Sequence, residues 1–257
     1  MQSNFDKAAI SYDNSFTNTI IGKAQRNMVY YQLNGLLSDN KSSILEINCG
    51  TGEDAVWLAN KGFQVTATDI SNEMIAVAKT KSNTIHFAQA DINTIAEQFS
   101  GSQFDVIFSN FGGLNCLTKQ ELQNFFEKSQ KILSEKGRLL LVIMPKNTLW
   151  EKMYFILKGK FQEAFRRTKQ VANANVDGVN VPTYYFNPND VVQLSKDNFN
   201  FVSVKPIGFF IPPSYLEPFF KNRKRMFQFL VFLDSKIRNI PFFSKFADHY
   251  LIVIQKK

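Results

Sequence analysis

The chain has 257 residues and a mass of 29.5 kDa, room for one large domain or two small ones around a substantial core. With 44% hydrophobic and 20% charged residues it does not belong with disordered chains, and no run of about 18 uncharged apolar residues suggests a membrane span. Its two cysteines, Cys49 and Cys116, are too few for a disulfide framework or a thiolate metal cage. A reducing, cytoplasmic setting without a structural metal is expected. No secretory signal is expected either, because Met1 to Ile10 lacks a basic stretch leading into an apolar one.

The net charge of +8 is unevenly spread. Residues 1–145 carry 12 basic and 14 acidic side chains, whereas residues 146–257 carry 18 and 8. Phenylalanine follows the same skew, with 12 of the 26 between Phe199 and Phe246. A near-neutral first half and a basic, aromatic second half point to different jobs.

In chain order, residues 17–38 show an imperfect helical stripe through Ile20, Ile21, Ala24, Met28, Tyr31 and Leu36. From Ser43 short apolar runs alternate with helical stretches. Ile44–Ile47, Gln64–Thr68, Ile85–Ala88, Asp105–Ser109 and Arg138–Met144 are strand candidates, with helices near Asp54–Lys61, Asn72–Lys79 and Lys119–Leu133. That alternation predicts a parallel sheet covered on both faces. After Pro145 it breaks. Trp150–Arg167 reads as one helix, Ala172–Asn189 as turn-rich, Val191–Leu194 as a short helix, and Phe201–Ile211 and Tyr250–Gln255 as closing strands. The simplest topology is five βα units, an inserted helical region and a final pair of strands, seven in all.

The richest stretch is Ile44-Leu45-Glu46-Ile47-Asn48-Cys49-Gly50-Thr51-Gly52-Glu53-Asp54. A β-run enters a glycine turn and an amphipathic helix follows, so the backbone can bend tightly and approach a ligand. Asp69 ends the next strand, 17 residues beyond Gly52, where a carboxylate can accept both hydroxyls of a ribose. Asp91 follows the third strand. Three strand ends thus converge on one crevice. Gly50, Gly52 and Ala55 also satisfy the permissive dinucleotide pattern G-x-G-x-x-A, but about 43 residues precede the first strand, which disfavours a nicotinamide domain.

With these residues the sequence resembles the class I S-adenosylmethionine-dependent methyltransferases, in their small-molecule branch. The resemblance covers about residues 5–145 and, loosely, the final strands. It implies an α/β, Rossmann-like doubly wound sheet, mostly parallel, with an N-terminal helical lid and a helical insertion after strand 5. It also implies three regions: a cofactor-binding core with its lid (1–145), an inserted substrate cap (146–200), and closing strands with a basic, Phe-rich insertion (201–257). The family motif, an acidic residue followed by G-x-G-x-G, is here Glu46, Asn48, Gly50 and Gly52, with Asn48 in place of the first glycine.

By resemblance Gly50 and Gly52 pass beside the methionine moiety, and Glu46 orders water or the amino group. Asp69 holds the ribose, Ile70 and Met74 flank the adenine, and Asp91 with Ile92 meets its edge. Phe104–Asn110 matches the strand that ends at the methyl group, at Asn110. Tyr12 helps close the site. Arg26 on the first helix is either a partner of the cofactor carboxylate or an exposed helix arginine.

The methyl acceptor is less legible. The fourth strand ends Ser109-Asn110-Phe111-Gly112, without the Asn/Asp-Pro-Pro-aromatic motif of enzymes that methylate amino groups of nucleobases and glutamine. The fifth ends Met144-Pro145, without the Pro-Cys pair of cytosine C5 methylation. No general base stands out: His86 and His249 read as structural, and Cys49 and Cys116 as packing. A small lipophilic or aromatic acceptor is expected, with Trp150, Met153, Tyr154, Leu157 and Phe161 as candidate pocket residues and Arg166 and Arg167 as candidate partners for an acidic group. The alternatives are an RNA methyltransferase and a non-catalytic cofactor-binding protein. Finally, Phe219, Phe220, Phe227, Phe229, Phe232, Phe242 and Phe243, interleaved with Arg223, Lys224 and Arg225, pair bulky apolar with basic residues as a segment resting on anionic lipid does; a buried helix with snorkelling lysines is the plainer reading.

Overall fold

A computed structural model describes residues 5–37, 41–169, 171–176 and 179–257. The N-terminal segment forms short turns at Asp6–Ala8 and Asp13–Thr17 and then helix α1 (Ile20–Leu36), started by Thr19, whose side chain accepts the amide of Gly22. Residue 38 of the expected helix lies outside the described residues. The alternation that follows is β1 (Ser43–Ile47), α2 (Glu53–Asn60), β2 (Gln64–Asp69), α3 (Asn72–Lys81) and β3 (His86–Gln89). It continues through α4 (Ile95–Gln98), β4 (Phe104–Ser109), α5 (Lys119–Ser129) and β5 (Leu133–Ile143). Strands β1 to β5 are mutually parallel, in the order β3-β2-β1-β4-β5.

The second half contains α6 (Leu149–Leu157), α7 (Phe161–Ala164), a hairpin of β6 (Ala172–Val176) and β7 (Val179–Thr183), and α8 (Pro188–Ser195). It then adds β8 (Phe199–Ile207), α9 (Glu217–Phe220), α10 (Lys224–Ile237) and β9 (His249–Lys256). β9 inserts antiparallel between β5 and β8, completing a seven-stranded α/β sheet of the Rossmann-like, doubly wound kind.

Burial on both faces explains the apolar run in β5. Leu139, Leu141 and Ile143 pack with Phe125 and Phe126 of α5, while Leu140 and Val142 pack on the other face with Ile21, Val29 and Leu33 of α1 and Phe227 of α10. All five side chains from Leu139 to Ile143 are fully buried.

Three local expectations are corrected. The helix expected over Trp150–Arg167 stops at Gly159, whose φ of +68° is the left-handed geometry that ends a helix; a separate turn, α7, follows. The turn-rich stretch Ala172–Asn189 contains the β6–β7 hairpin, with Ala172 opposite Thr183. Its asparagines and glycine masked an Asp-Gly hairpin signal in the sequence; residues 177 and 178 themselves lie outside the described set. The α5 helix ends at Ser129, and Leu133 belongs to β5.

Candidate active site

The carboxyl ends of β1 to β4 surround a cavity of about 270 Å³ at the switch point between β1 and β4, where open α/β sheets bind ligands. The turn after β1 forms its floor. Asn48 has φ +49°, a left-handed geometry that asparagine tolerates better than most residues. Its side chain ties two strand ends together, accepting from Ser109 Oγ at 2.8 Å and donating to the Asn110 carbonyl at 3.1 Å. Gly50, at φ +53°, donates its N–H to Asp69 Oδ2 at 2.9 Å, and Ser71 N–H bonds Oδ1 at 2.9 Å. Both carboxylate oxygens are thus aimed by the backbone. Burial raises the Asp69 pKa, and these amides oppose the rise.

Ile70 and Met74, from the start of α3, line the same cavity, as do Asp91, Ile92 and Asn110. Asp91 is fixed by accepting the Asn93 amide at 2.8 Å. Tyr12 covers Gly50, its ring carbon 3.9 Å from where a Cβ on that glycine would stand. Burial pushes the Tyr12 phenol up to about 12, so it stays protonated.

Three of the expected residues lie outside the lining. Gly52 packs the turn against the protein: a Cβ there would stand 2.9 Å from Ala78 Cβ and from a Phe87 ring carbon. Glu46 and Arg26 sit behind the floor. Arg26 is 7% exposed, which corrects the reading of an exposed helix arginine. It bonds Asp54 at 2.5 Å, Asn110 Nδ2 donates to the same Asp54 oxygen at 3.0 Å, and the guanidinium lies 5.1 Å from the Phe111 ring centroid. Glu46 Oε2 is buried without a hydrogen-bond partner among the described residues. Burial and the Asp54 charge raise its pKa well above the ordinary range, against the pull of Arg26.

The N-terminal segment is pinned as a lid by polar groups. Ser71 Oγ donates to Asp6 at 2.6 Å, Thr51 Oγ1 to Asp13 at 2.6 Å, and Lys81 pairs with Asp13 at 2.6 Å. Burial works against the Asp13 carboxylate, but the Lys81 and Thr51 bonds hold its pKa below the ordinary value. Ala8, Ala9 and Met74 supply the apolar contact beneath.

A second cavity of about 360 Å³ adjoins the first. Phe5, Tyr12, Phe111, Gly112 and Cys116 line both. Phe111 stands in the shared wall at φ +45°, an unfavourable geometry for a bulky residue, costing about 1–3 kcal/mol. Three neighbours hold it: Phe16 and His249 meet its ring edge-on at 5.1 and 5.4 Å, and Arg26 lies over it. The rest of the second cavity sets Phe16, Tyr185 and Tyr215 among small and polar side chains, with a buried ionic group at its rim. Arg167 pairs with Glu151 at 2.8 Å and with Asp248 at 3.1 Å, and His249 Nδ1 lies 3.3 Å from Asp248 Oδ2. Burial works against the Asp248 carboxylate, yet His249 and Arg167 hold its pKa far below the usual range.

Residues 44–137 match the family described as a methyltransferase domain. The Bacillus subtilis protein YqeM is 40% identical over 104 residues, 39% of this chain and 41% of its own length. The malonyl-[acyl-carrier protein] O-methyltransferase of Bacillus anthracis is 34% identical over 180 residues, 67% of this chain and 61% of its own. The matched stretch thus spans about two fifths of the first relative and three fifths of the second. The fold also matches a SAM-dependent methyltransferase from Methanosarcina mazei, with TM-score 0.60 and 18% identity over 88% of this chain and 97% of that one. Residues 44–137 thus form a methyltransferase domain, and the chain has the fold of S-adenosylmethionine-dependent methyltransferases.

Several residues at these cavities escape a reading of the sequence. Phe111, Gly112 and Gly113 follow β4, where the Gly-Gly pair is itself a turn signal. Asn115 is fully buried; it receives the Met144 amide and donates to the carbonyls of Met144 and Tyr184, tying the hairpin exit to β5. His249 joins the second cavity only because β9 is inserted beside β5. Cys116 touches both cavities, but burial pushes its thiol up to about 11, so it is a poor nucleophile.

Proposed function

We propose that this protein transfers a methyl group from S-adenosylmethionine to a small lipophilic or aromatic acceptor seated in the second cavity. One observation carries the reading: two cavities share a wall at Phe111, one built of strand-end acids and a glycine turn, the other with Phe16, Tyr185 and Tyr215 set beside the Arg167–Asp248–His249 group. The first fits the cofactor. Gly50 lines it with no side chain between backbone and cavity, and each Asp69 oxygen receives one backbone amide and keeps capacity for a ribose hydroxyl. Asp69 would hold the ribose, Ile70 and Met74 the adenine faces, Asp91 and Ile92 the adenine edge, and Asn48 and Gly50 the methionine end. Asn110 would stand at the reacting end, positioned by Asp54 and, through it, by Arg26.

When bound, S-adenosylmethionine supplies a methyl on a sulfonium, which an acceptor lone pair takes by in-line displacement. The protein's share is orientation in a dry site. Phe111, Phe16 and Tyr12 would exclude water where the cavities meet, and His249, which lines the second cavity, would take a proton from an acceptor that must lose one. A cytoplasmic setting goes with this reading.

A carrier-bound acyl acceptor is a second reading. A groove lined by Lys119, Lys146, Lys169 and Lys196 shares Tyr185 with the second cavity, and among the described residues Lys146 alone of the four is paired, with Asp190 at 2.7 Å. The B. anthracis relative's name specifies such an acceptor.

Labelled S-adenosylmethionine, offered with a lipid extract, an acyl-loaded carrier protein and total RNA, separates these readings. Label in the lipid extract is expected. Label in RNA would overturn the acceptor class, and calorimetric titration showing no S-adenosylmethionine binding would overturn the whole proposal. Asp69→Ala should cost about 1–3 kcal/mol of cofactor affinity.

A further inference from the structure

Helix α10 presents phenylalanine on both sides. Phe227, Leu230, Val231 and Asp234 face the protein; Arg225, Phe229, Phe232 and Lys236, spaced four, three and four residues apart, form the outer stripe. Phe229 is 58% and Phe232 52% exposed, and nearby Phe219 and Phe242 are 48% and 61% exposed. Phe220 and Phe227 are buried in the core, which removes them from the residues expected at a lipid surface; Phe243 is half-buried.

The exposed rings carry cations. Arg223 lies 4.0 Å from the Phe219 centroid, Lys236 4.8 Å from Phe232 and Lys245 5.0 Å from Phe242. Residues 215–245 contain seven basic side chains and two acidic ones, Glu217 and Asp234. Both acids are turned inward. Glu217 accepts the amides of Ile20 and Ile21, and Asp234 those of Phe209, Phe210 and Ile211. Among the described residues, no carboxylate pairs with Lys221, Arg223, Lys224 or Arg225. The outer face therefore shows uncompensated positive charge between exposed rings.

The patch leads to the second cavity. Phe219 packs on Phe220, Phe220 on Trp150 of α6, and Tyr154 and Phe155 of α6 on Tyr215, which lines that cavity. Met153, Ile156 and Leu157 extend the exposed apolar surface along α6.

We propose that this face seats the protein on anionic lipid bilayers, with Phe219, Phe229 and Phe232 in the headgroup layer and the surrounding lysines and arginines on the phosphates. Charge selects the occupant. A second copy of the chain would bring seven bases against seven and repel, whereas an anionic surface neutralises them. Aromatic rings with cationic neighbours suit the boundary between headgroup and acyl chain.

The test is flotation of the full-length protein with vesicles of pure phosphatidylcholine and of phosphatidylcholine mixed in equal parts with phosphatidylglycerol. Binding to the anionic vesicles alone is expected, reduced by salt. The triple variant Arg223→Gln, Lys224→Gln, Arg225→Gln should weaken it about a hundredfold. Phe229→Ser with Phe232→Ser should remove the portion that salt does not release. Unchanged S-adenosylmethionine titration shows that both variants are folded, and it tests the cofactor independently of the membrane. If the unmodified protein stays in solution with anionic vesicles, or if sedimentation shows this face buried in a dimer, the proposal fails.

Discussion

The side chain of Asn48 lies where a Cβ on Gly113 would stand: the Asn48 Cβ is 2.7 Å from that position. The two residues come from the turns after β1 and β4, so each turn is shaped to the other. Asn48 replaces the family's first glycine, and Gly113 leaves the space. Gly113→Ala should therefore cost about 1–3 kcal/mol of stability by overpacking. Asn48→Gly in the same chain should restore part of that loss, and urea unfolding of the two single variants and the double variant measures the coupling. Additive losses would show that the two turns adjust independently.

Arg26 and Asp54 form a pair buried beneath the floor of the first cavity. Removing one partner leaves an uncompensated buried charge. Asp54→Ala is expected to cost about 3–5 kcal/mol in chemical denaturation. It should also weaken S-adenosylmethionine binding, because Asn110 loses its anchor.

His249 faces the second cavity across from Phe111. With the acceptor found by labelling, His249→Gln should lower kcat by about 100-fold or more and leave cofactor affinity unchanged. Added imidazole should recover part of the rate. Full activity in the variant would make His249 a packing residue only.

Asp234 gives stability a pH dependence. Burial raises its carboxyl to about 6 despite the three backbone amides it accepts. A carboxyl raised in the folded state keeps its proton there after the unfolded chain has lost it. Its contribution is thus fully present below about 4 and falls as pH rises to about 6, by roughly 3 kcal/mol. Asp234→Asn lacks this titration, so the stability gap between the protein and the variant should narrow by that amount between pH 4 and 7 in urea unfolding. A gap constant with pH would show that Asp234 titrates alike in both states.

The sequence by itself determined the βα alternation, a parallel sheet covered on both faces and the glycine turn between strand and helix. These are local properties: apolar period, strand propensity and backbone freedom are written in neighbouring residues. Tertiary structure decided what depends on partners far along the chain. Arg26 has the spacing of an exposed helix residue, yet Asp54 and Phe111, brought over it by the sheet, bury it. His249 reads as a strand residue until β9 is inserted antiparallel beside β5 and turns it to the second cavity. In α10 both faces carry phenylalanine, Phe227 on one and Phe229 and Phe232 on the other, so the helical period cannot say which is core. The sheet settles that by covering Phe227 and leaving Phe229 and Phe232 to the solvent, because a buried face needs a neighbour that only the fold supplies.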